Sequence, residues 1–198
     1  MSKLYFVSSN ENKFSETSNI LSNFGITVEF FKTELQEIQS DSLSIIATKK
    51  VLDAFFRRLN TNHLHPGDPV IIEDDGLFLE SQKGFPGPYS SYAFKTIGNT
   101  GILKLVDSQR TAKFVSIIAY CEENGDNPPN VELFESTVIG TISNEIQGDG
   151  WGYDPIFIPD GQTKTFAELS NKNKLSHRYA SLKKFSSWFL NRQKDNDQ

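Results

Sequence analysis

Two acidic stretches stand out in this 198-residue chain: Glu34 and Glu37 in Glu34-Leu35-Gln36-Glu37-Ile38-Gln39, and the consecutive Glu73-Asp74-Asp75. A hard cation such as magnesium takes oxygen ligands, usually one or two carboxylates with waters and substrate phosphates, so acids from two separate elements would suffice to hold it. A third acid could activate a water. Solvated turn carboxylates are the plain alternative for Glu34 or Glu37 taken singly. The triplet fits that alternative less well, because it follows the apolar run Val70-Ile71-Ile72, which holds one end near a core while like charges repel.

The basic counterpart lies near the other end. Lys172, Lys174, His177 and Arg178 surround the expected start of the last helix, where the helix dipole favours acids instead. Between residues 171 and 194 there are seven Lys or Arg and no Asp or Glu. That asymmetry points to an anionic ligand, although a basic helix face is often solvated surface. Lys183, Lys184, Arg192 and Lys194 are read as such surface.

Two further groups carry chemistry of their own. Ser8-Ser9-Asn10-Glu11-Asn12-Lys13, with Glu16, follows an apolar run and opens a helix. Backbone N–H groups there, with a first-turn lysine, suit phosphate. A Ser8 to Glu11 capping box is the equal alternative. The glycines of a P-loop or a dinucleotide fingerprint are missing. Trp151, Tyr153 and Asp154 lie in a loop with Gly148, Gly150 and Gly152, where the aromatics could stand as plates for a planar ring or simply pack into a core.

The elements that must position these groups follow from periodicity and breakers. Strands are expected over 4–7, 26–31, 69–73 and 77–79. Helices are expected from the Ser8-Ser9-Asn10 turn to about 24, stopped by Gly25; over 41–59, capped by Ser40 or Asp41, with an apolar stripe through Ile45, Ile46, Val51, Ala54 and Phe55; and over 100–106. The acid triplet would then end a strand. Residues 84–89 read as a loop, and 113–122 with 131–142 as a long hairpin around the turn-rich 124–129. Ser176 caps a last helix whose face is Tyr179, Leu182, Phe185 and Phe189. His63 and His65 fall in a polar loop, and 195–198 reads as a disordered tail behind a single domain over 1–194.

Composition narrows the classes. With 20 Lys+Arg against 25 Asp+Glu the net charge is −5, which excludes a generally basic coat for polymeric nucleic acid. Hydrophobic residues make up 37% and Phe alone numbers 16, enough to build one core in one domain. The single Cys121 excludes an internal disulfide and reads as an inert core thiol in a reducing compartment. The short apolar start gives no export signal, and no stretch approaches a membrane span, so no membrane partner is expected and the reading is cytoplasmic.

Six motifs in register, spanning nearly the whole chain, resemble the inosine triphosphate pyrophosphatase family, which hydrolyses non-standard purine nucleoside triphosphates to monophosphate and pyrophosphate. They are Ser8-Ser9-Asn10-Glu11-Asn12-Lys13 with Glu16; Glu37-Ile38-Gln39 followed by Lys50; Glu73-Asp74-Asp75-Gly76-Leu77; Gly84-Phe85-Pro86-Gly87-Pro88-Tyr89; Trp151-Gly152-Tyr153-Asp154-Pro155; and Ser176-His177-Arg178. Two departures are visible. The family usually has Thr-Gly-Asn where Ser8-Ser9-Asn10 stands, and Asp-Asp-Ser-Gly where Glu73-Asp74-Asp75-Gly76 adds a carboxylate.

The resemblance implies an α/β fold with an elongated central mixed sheet flanked by helices, two lobes with a cleft between them, and a homodimer. It implies magnesium held by Glu37 and Asp74, with Asp74 as the acid that orients or deprotonates the attacking water and Lys13 as its catalytic partner. Asn10, Lys13 and Lys172 would hold the triphosphate, Lys50 would add charge near the phosphates, and Ser8, Ser9, Asp75 and Gly76 would line the substrate site. Trp151 and Tyr153 would hold the purine, with Asp154, His177 and Arg178 reading its edge around the 6-oxo group. The expected activity is magnesium-dependent hydrolysis of ITP, dITP and XTP to clear them from the nucleotide pool. A related pyrophosphatase for modified pyrimidine nucleotides and a purine nucleotide sensor without turnover are the rivals.

Overall fold

A computed structural model describes residues 3–59 and 67–196. His63 and His65 lie outside the described residues. Six strands hydrogen-bond in the order β2-β1-β3-β4-β5-β6. Their ranges are β1 (Leu4–Ser8), β2 (Val28–Lys32), β3 (Val70–Leu79), β4 (Thr111–Asn124), β5 (Asn127–Ile142) and β6 (Phe157–Pro159). The helices are α1 (Glu11–Ser22), α2 (Leu43–Leu59), α3 (Ser90–Leu105), α4 (Lys172–Leu175) and α5 (His177–Asn196). The sheet is mixed. β1 pairs in parallel with β2 and β3, with Phe6 opposite Phe30 and Ile71, whereas β6 runs antiparallel to β5. A two-residue turn between β4 and β5 can join only antiparallel strands. The α/β class expected from the sequence is the class observed.

The chain divides into two compact units. The first is built from the chain up to Asp74, from Ile117–Glu135 and from Ser181 onward; the second from Asp75–Ser116 and Ser136–Ala180. In the first, Phe6, Val7, Leu21, Val51, Ala54, Ile71, Ile72, Ile117, Leu182 and Phe185 are buried. In the second, Leu77, Leu79, Ile102, Phe114, Ile156, Phe157 and Phe166 form one apolar cluster. The phenylalanine-rich composition is spent here, with Phe114, Phe157 and Phe166 in mutual ring contact.

Several expectations are corrected by the structure. The acid triplet does not end a strand: β3 continues without a break from Val70 through Glu73, Asp74, Asp75 and Gly76 to Leu79. Its carboxylates are therefore fixed on extended backbone. The α1 cap is Asn10, whose side chain accepts from the N–H groups of Asn12 at 3.0 Å and Lys13 at 3.2 Å. Ser8 Oγ accepts from Asn10 N–H instead, and Glu11 pairs with Lys32, so the Ser8 to Glu11 capping box does not form. Ser42, not Ser40 or Asp41, takes the cap of α2, and Ile45 leaves the apolar stripe to stand more than half exposed. The hairpin strands run through Pro128 and Pro129 to within two residues of each other.

The helix expected over 100–106 starts ten residues earlier, at Ser90. It is broken at Gly98, whose φ of 59° and ψ of −170° lie where only glycine is comfortable. At the other end Ser176 caps α5 as expected, its Oγ accepting from Tyr179 N–H at 3.1 Å. Helix α5 reaches Asn196, so the tail expected at 195–198 lies partly on this helix and otherwise outside the described residues. No described helix is long and apolar enough to cross a membrane.

Candidate active site

In the first unit the acids and lysines singled out in the sequence converge. Lys13, in the first turn of α1, approaches the buried Glu73 carboxylate at 3.9 Å. Lys50, on α2, donates to Glu37 Oε1 at 2.7 Å and to Asp74 Oδ2 at 3.3 Å. One ammonium thus ties a carboxylate from the segment before α2 to a carboxylate from the middle of β3. Lys50 and Asp74 are each about seven-eighths buried at the side chain, so this pair is shielded from solvent and salt.

That geometry tests the fit of a metal. Glu37 and Asp74 offer hard oxygen donors from separate elements, and they already converge on a single positive charge. The donor set therefore fits magnesium, with the Lys50 ammonium as the stand-in cation. Ser9 takes ordinary backbone: among the described residues only Lys83 combines a side chain with a positive φ. The amides of Asn12 and Lys13 are engaged by Asn10, which leaves the Lys13 charge, rather than a row of open N–H groups, as the anion handle of this turn.

Sequence reasoning missed one residue that positions this group. Asp53 on α2 accepts from Gln36 N–H at 3.0 Å and from Arg57, so it anchors the segment carrying Glu37. Burial works to raise its pKa, but the Gln36 N–H and the Arg57 guanidinium outweigh burial and hold it below the ordinary aspartate range. By spacing alone Asp53 and Arg57 are an ordinary i,i+4 helix pair, which is why nothing flagged them.

The second unit gathers the other residues. Arg178, with its side chain only 1% exposed, donates from Nη2 to Asp75 Oδ2 at 2.9 Å. Its guanidinium lies 5.1 Å from the Trp151 ring centroid, and Lys172 Nζ lies 5.4 Å from it. Lys172 also donates to the buried Asp154 at 2.5 Å. Trp151 is therefore a plate that carries two cations, each tethered to an acid. His177 stacks flat on Phe114, centroids 4.3 Å apart and planes 5° apart. It is 3% exposed, and neither ring nitrogen has a hydrogen-bond partner among the described residues. Nε2 faces Asp75 Oδ2 at 3.9 Å, and a buried imidazole that makes no hydrogen bond is a poor choice for a core and a good one for reading a ligand edge.

Tyr153 is packed differently from Trp151. Its ring is 5% exposed, packs edge-on against Phe94 at 5.4 Å, and its hydroxyl donates to the Ser90 carbonyl at 2.9 Å. Burial, then the Asp75 carboxylate, pushes its phenol well above the ordinary tyrosine value, so it stays a donor. The core-packing alternative describes Tyr153, while Trp151 keeps the more open position.

Gly76 has a packing reason to be glycine. A Cβ there would meet the Gly87 carbonyl oxygen at 2.5 Å, because the 84–89 loop lies against it, and Ser90 Oγ bridges Leu77 N–H to that same oxygen. Gly76→Ala should therefore destabilise the protein by about 1–3 kcal/mol through overpacking, read as a fall in urea midpoint at unchanged m-value. An unchanged midpoint would show that the loop yields.

The Ham1 family model matches residues 4–188. A dITP/XTP pyrophosphatase of Methanopyrus kandleri is 45% identical over 194 residues, covering 96% of this chain and 97% of that protein. One from Pyrococcus horikoshii is 44% identical, covering 94% and 96%. Among solved structures, a HAM1 protein from Coxiella burnetii superposes with a TM-score of 0.73 at 26% identity, covering 96% of this chain and all of that one. A nucleoside-triphosphatase / dITP/XTP pyrophosphatase from Mycobacterium abscessus gives 0.61 at 26% identity, covering 92% and 97%. A family match over nearly the whole sequence, relatives above 40% identity at full length, and a shared fold lead to one conclusion: the chain belongs to the Ham1 family.

Proposed function

We propose that this protein hydrolyses non-standard purine nucleoside triphosphates, dITP, ITP and XTP, to the monophosphate and pyrophosphate. The observation that carries the reading is the convergence of Glu37 and Asp74 on the single Lys50 charge, because mere nucleotide binding needs no such acid pair. Arg178 beside Trp151 and the buried imidazole of His177, which makes no hydrogen bond among the described residues, supply the purine end. A modified-pyrimidine substrate would leave that donor-rich end unmatched.

In this reading Glu37 and Asp74 hold magnesium, which when bound offsets charge on the phosphate oxygens. Asp74 orients water for in-line attack on the α-phosphorus and accepts its proton. Lys13, the Asn10 amide, Ser8, Ser9 and Lys50 receive the triphosphate, and Lys13, Lys50 and Lys172 offset charge on the leaving pyrophosphate. Asp75 serves the purine end, because its partner is Arg178. Trp151 holds the purine ring, with Tyr153 buttressing it from the core.

Base selection follows from donor and acceptor matching. A 6-oxo purine with N1–H suits His177, Arg178 and Asp154, whereas the 6-amino group of adenine brings a donor where an acceptor is wanted. Each mispaired buried group costs about 1–3 kcal/mol, roughly 5- to 150-fold in rate. Pyrophosphate release measured with dITP, XTP, ITP, ATP, GTP and modified pyrimidine triphosphates tests this, with magnesium present and chelated. Preference for dITP and XTP over ATP by 100-fold or more is expected; equal rates for ATP and ITP would overturn base selection. The same reading includes a homodimer and a cytoplasmic setting.

A further inference from the structure

Helix α3 touches the loop that carries Trp151 at three points, and none of the three helix residues belongs to a sequence motif. Ser90 accepts from the Tyr153 hydroxyl, Phe94 packs against the Tyr153 ring, and Asn99 Nδ2 donates to the Gly152 carbonyl at 3.0 Å. Ser90 and Phe94 are four residues apart and share a helix face. Asn99 is nine residues from Ser90, which in a continuous helix would turn it by about 180°, away from the loop. The break at Gly98 re-aims it. Gly98 and Asn99 thus work together: a conformation that only glycine takes easily places an amide on a specific carbonyl.

That carbonyl belongs to the residue directly after Trp151. Gly152 has a φ of +63° and nothing within 4 Å of the place a Cβ would occupy, so side-chain packing does not hold this peptide. The Asn99 hydrogen bond does. The arrangement also carries an unspent group, since Asn99 Oδ1 is buried and has no hydrogen-bond partner among the described residues. Such a group is costly in a merely structural amide.

We propose that Asn99 is a positioning residue for purine recognition: by fixing the Gly152 peptide it sets the Trp151 plate, and with it the affinity for the base. The inference rests on the role given to Trp151 in the proposed function. It predicts an effect on base binding and none on the handling of phosphates.

The test is Asn99→Leu, which keeps the size and removes the donor, beside Asn99→Asp, which keeps the shape but turns an acceptor toward the carbonyl. For both, KM for dITP should rise about five- to tenfold with kcat within twofold, while inhibition by tripolyphosphate, which has no base, stays unchanged. In a Trp188→Phe background, where Trp151 is the only one of the two tryptophans left, acrylamide should quench fluorescence more strongly in Asn99→Leu than in its parent. Unchanged KM and unchanged quenching would overturn the proposal. So would parallel losses in kcat and tripolyphosphate inhibition, which would show general support of the fold. If the parent protein proved inactive on every purine triphosphate while quenching still rose, the proposed function would fall and the positioning of Trp151 by Asn99 would stand.

Discussion

Asp74→Asn should lower kcat for pyrophosphate release by about a thousandfold or more while leaving the protein folded. The substitution is isosteric and removes a charge, so β3 keeps its packing and Lys50 keeps Glu37 at 2.7 Å. A lost general base alone accounts for about 10²–10⁴ in rate. The same change weakens metal binding, because one of two hard anionic donors becomes a neutral amide. Calorimetric titration with magnesium should therefore show weaker binding, independently of turnover. Asp75→Asn makes the contrast, since Asp75 answers Arg178 rather than Lys50. It should raise KM and lower stability while kcat stays within about tenfold. If Asp74→Asn keeps more than a tenth of the parent activity, or if Asp75→Asn is the inactive variant, the roles given to these neighbours are wrong.

The same pair shows what could be read from the sequence and what could not. Three consecutive acids after an apolar run were visible as chemistry, and the cap at Ser176 and the strand-turn-helix opening were visible as structure. What decides between Asp74 and Asp75 was not visible, because it depends on which cation each meets across 24 and 103 residues of chain. Continuous β3 was hidden by Gly76, which reads as a breaker but serves as a close approach. Tyr153 and Trp151 look equivalent in their loop. Only the Ser90 carbonyl and Phe94, on a stretch of helix that lies before the 100–106 helix expected from the sequence, separate the buried ring from the open one. Gly98 and Asn99 stand just before the helix expected over 100–106, and nothing in their types shows that a longer helix is broken there to aim an amide.

Arg178 is the place where stability and selectivity are joined. It heads the largest fully buried side chains, and its guanidinium is shared between the Asp75 carboxylate at 2.9 Å and the face of Trp151 at 5.1 Å. Arg178→Met preserves length and apolar packing but takes away the charge that faces Asp75, whose side chain is only 19% exposed. Removing one partner of a buried pair costs about 3–5 kcal/mol; partial exposure of Asp75 places this case at about 3 kcal/mol, or roughly 6–12 °C in Tm for a chain of this size. Adding Asp75→Asn to Arg178→Met should restore part of that loss, since no charge is then left facing the gap. Arg178→Lys separates the two roles. A lysine keeps the charge and much of the stability, but it has neither the planar fork nor the flat face that lies on Trp151. The discrimination of dITP over ATP should then fall about tenfold while Tm drops by only a few degrees. If Arg178→Lys retained full discrimination, charge alone would suffice at this position and base selection would have to reside in His177 and Asp154.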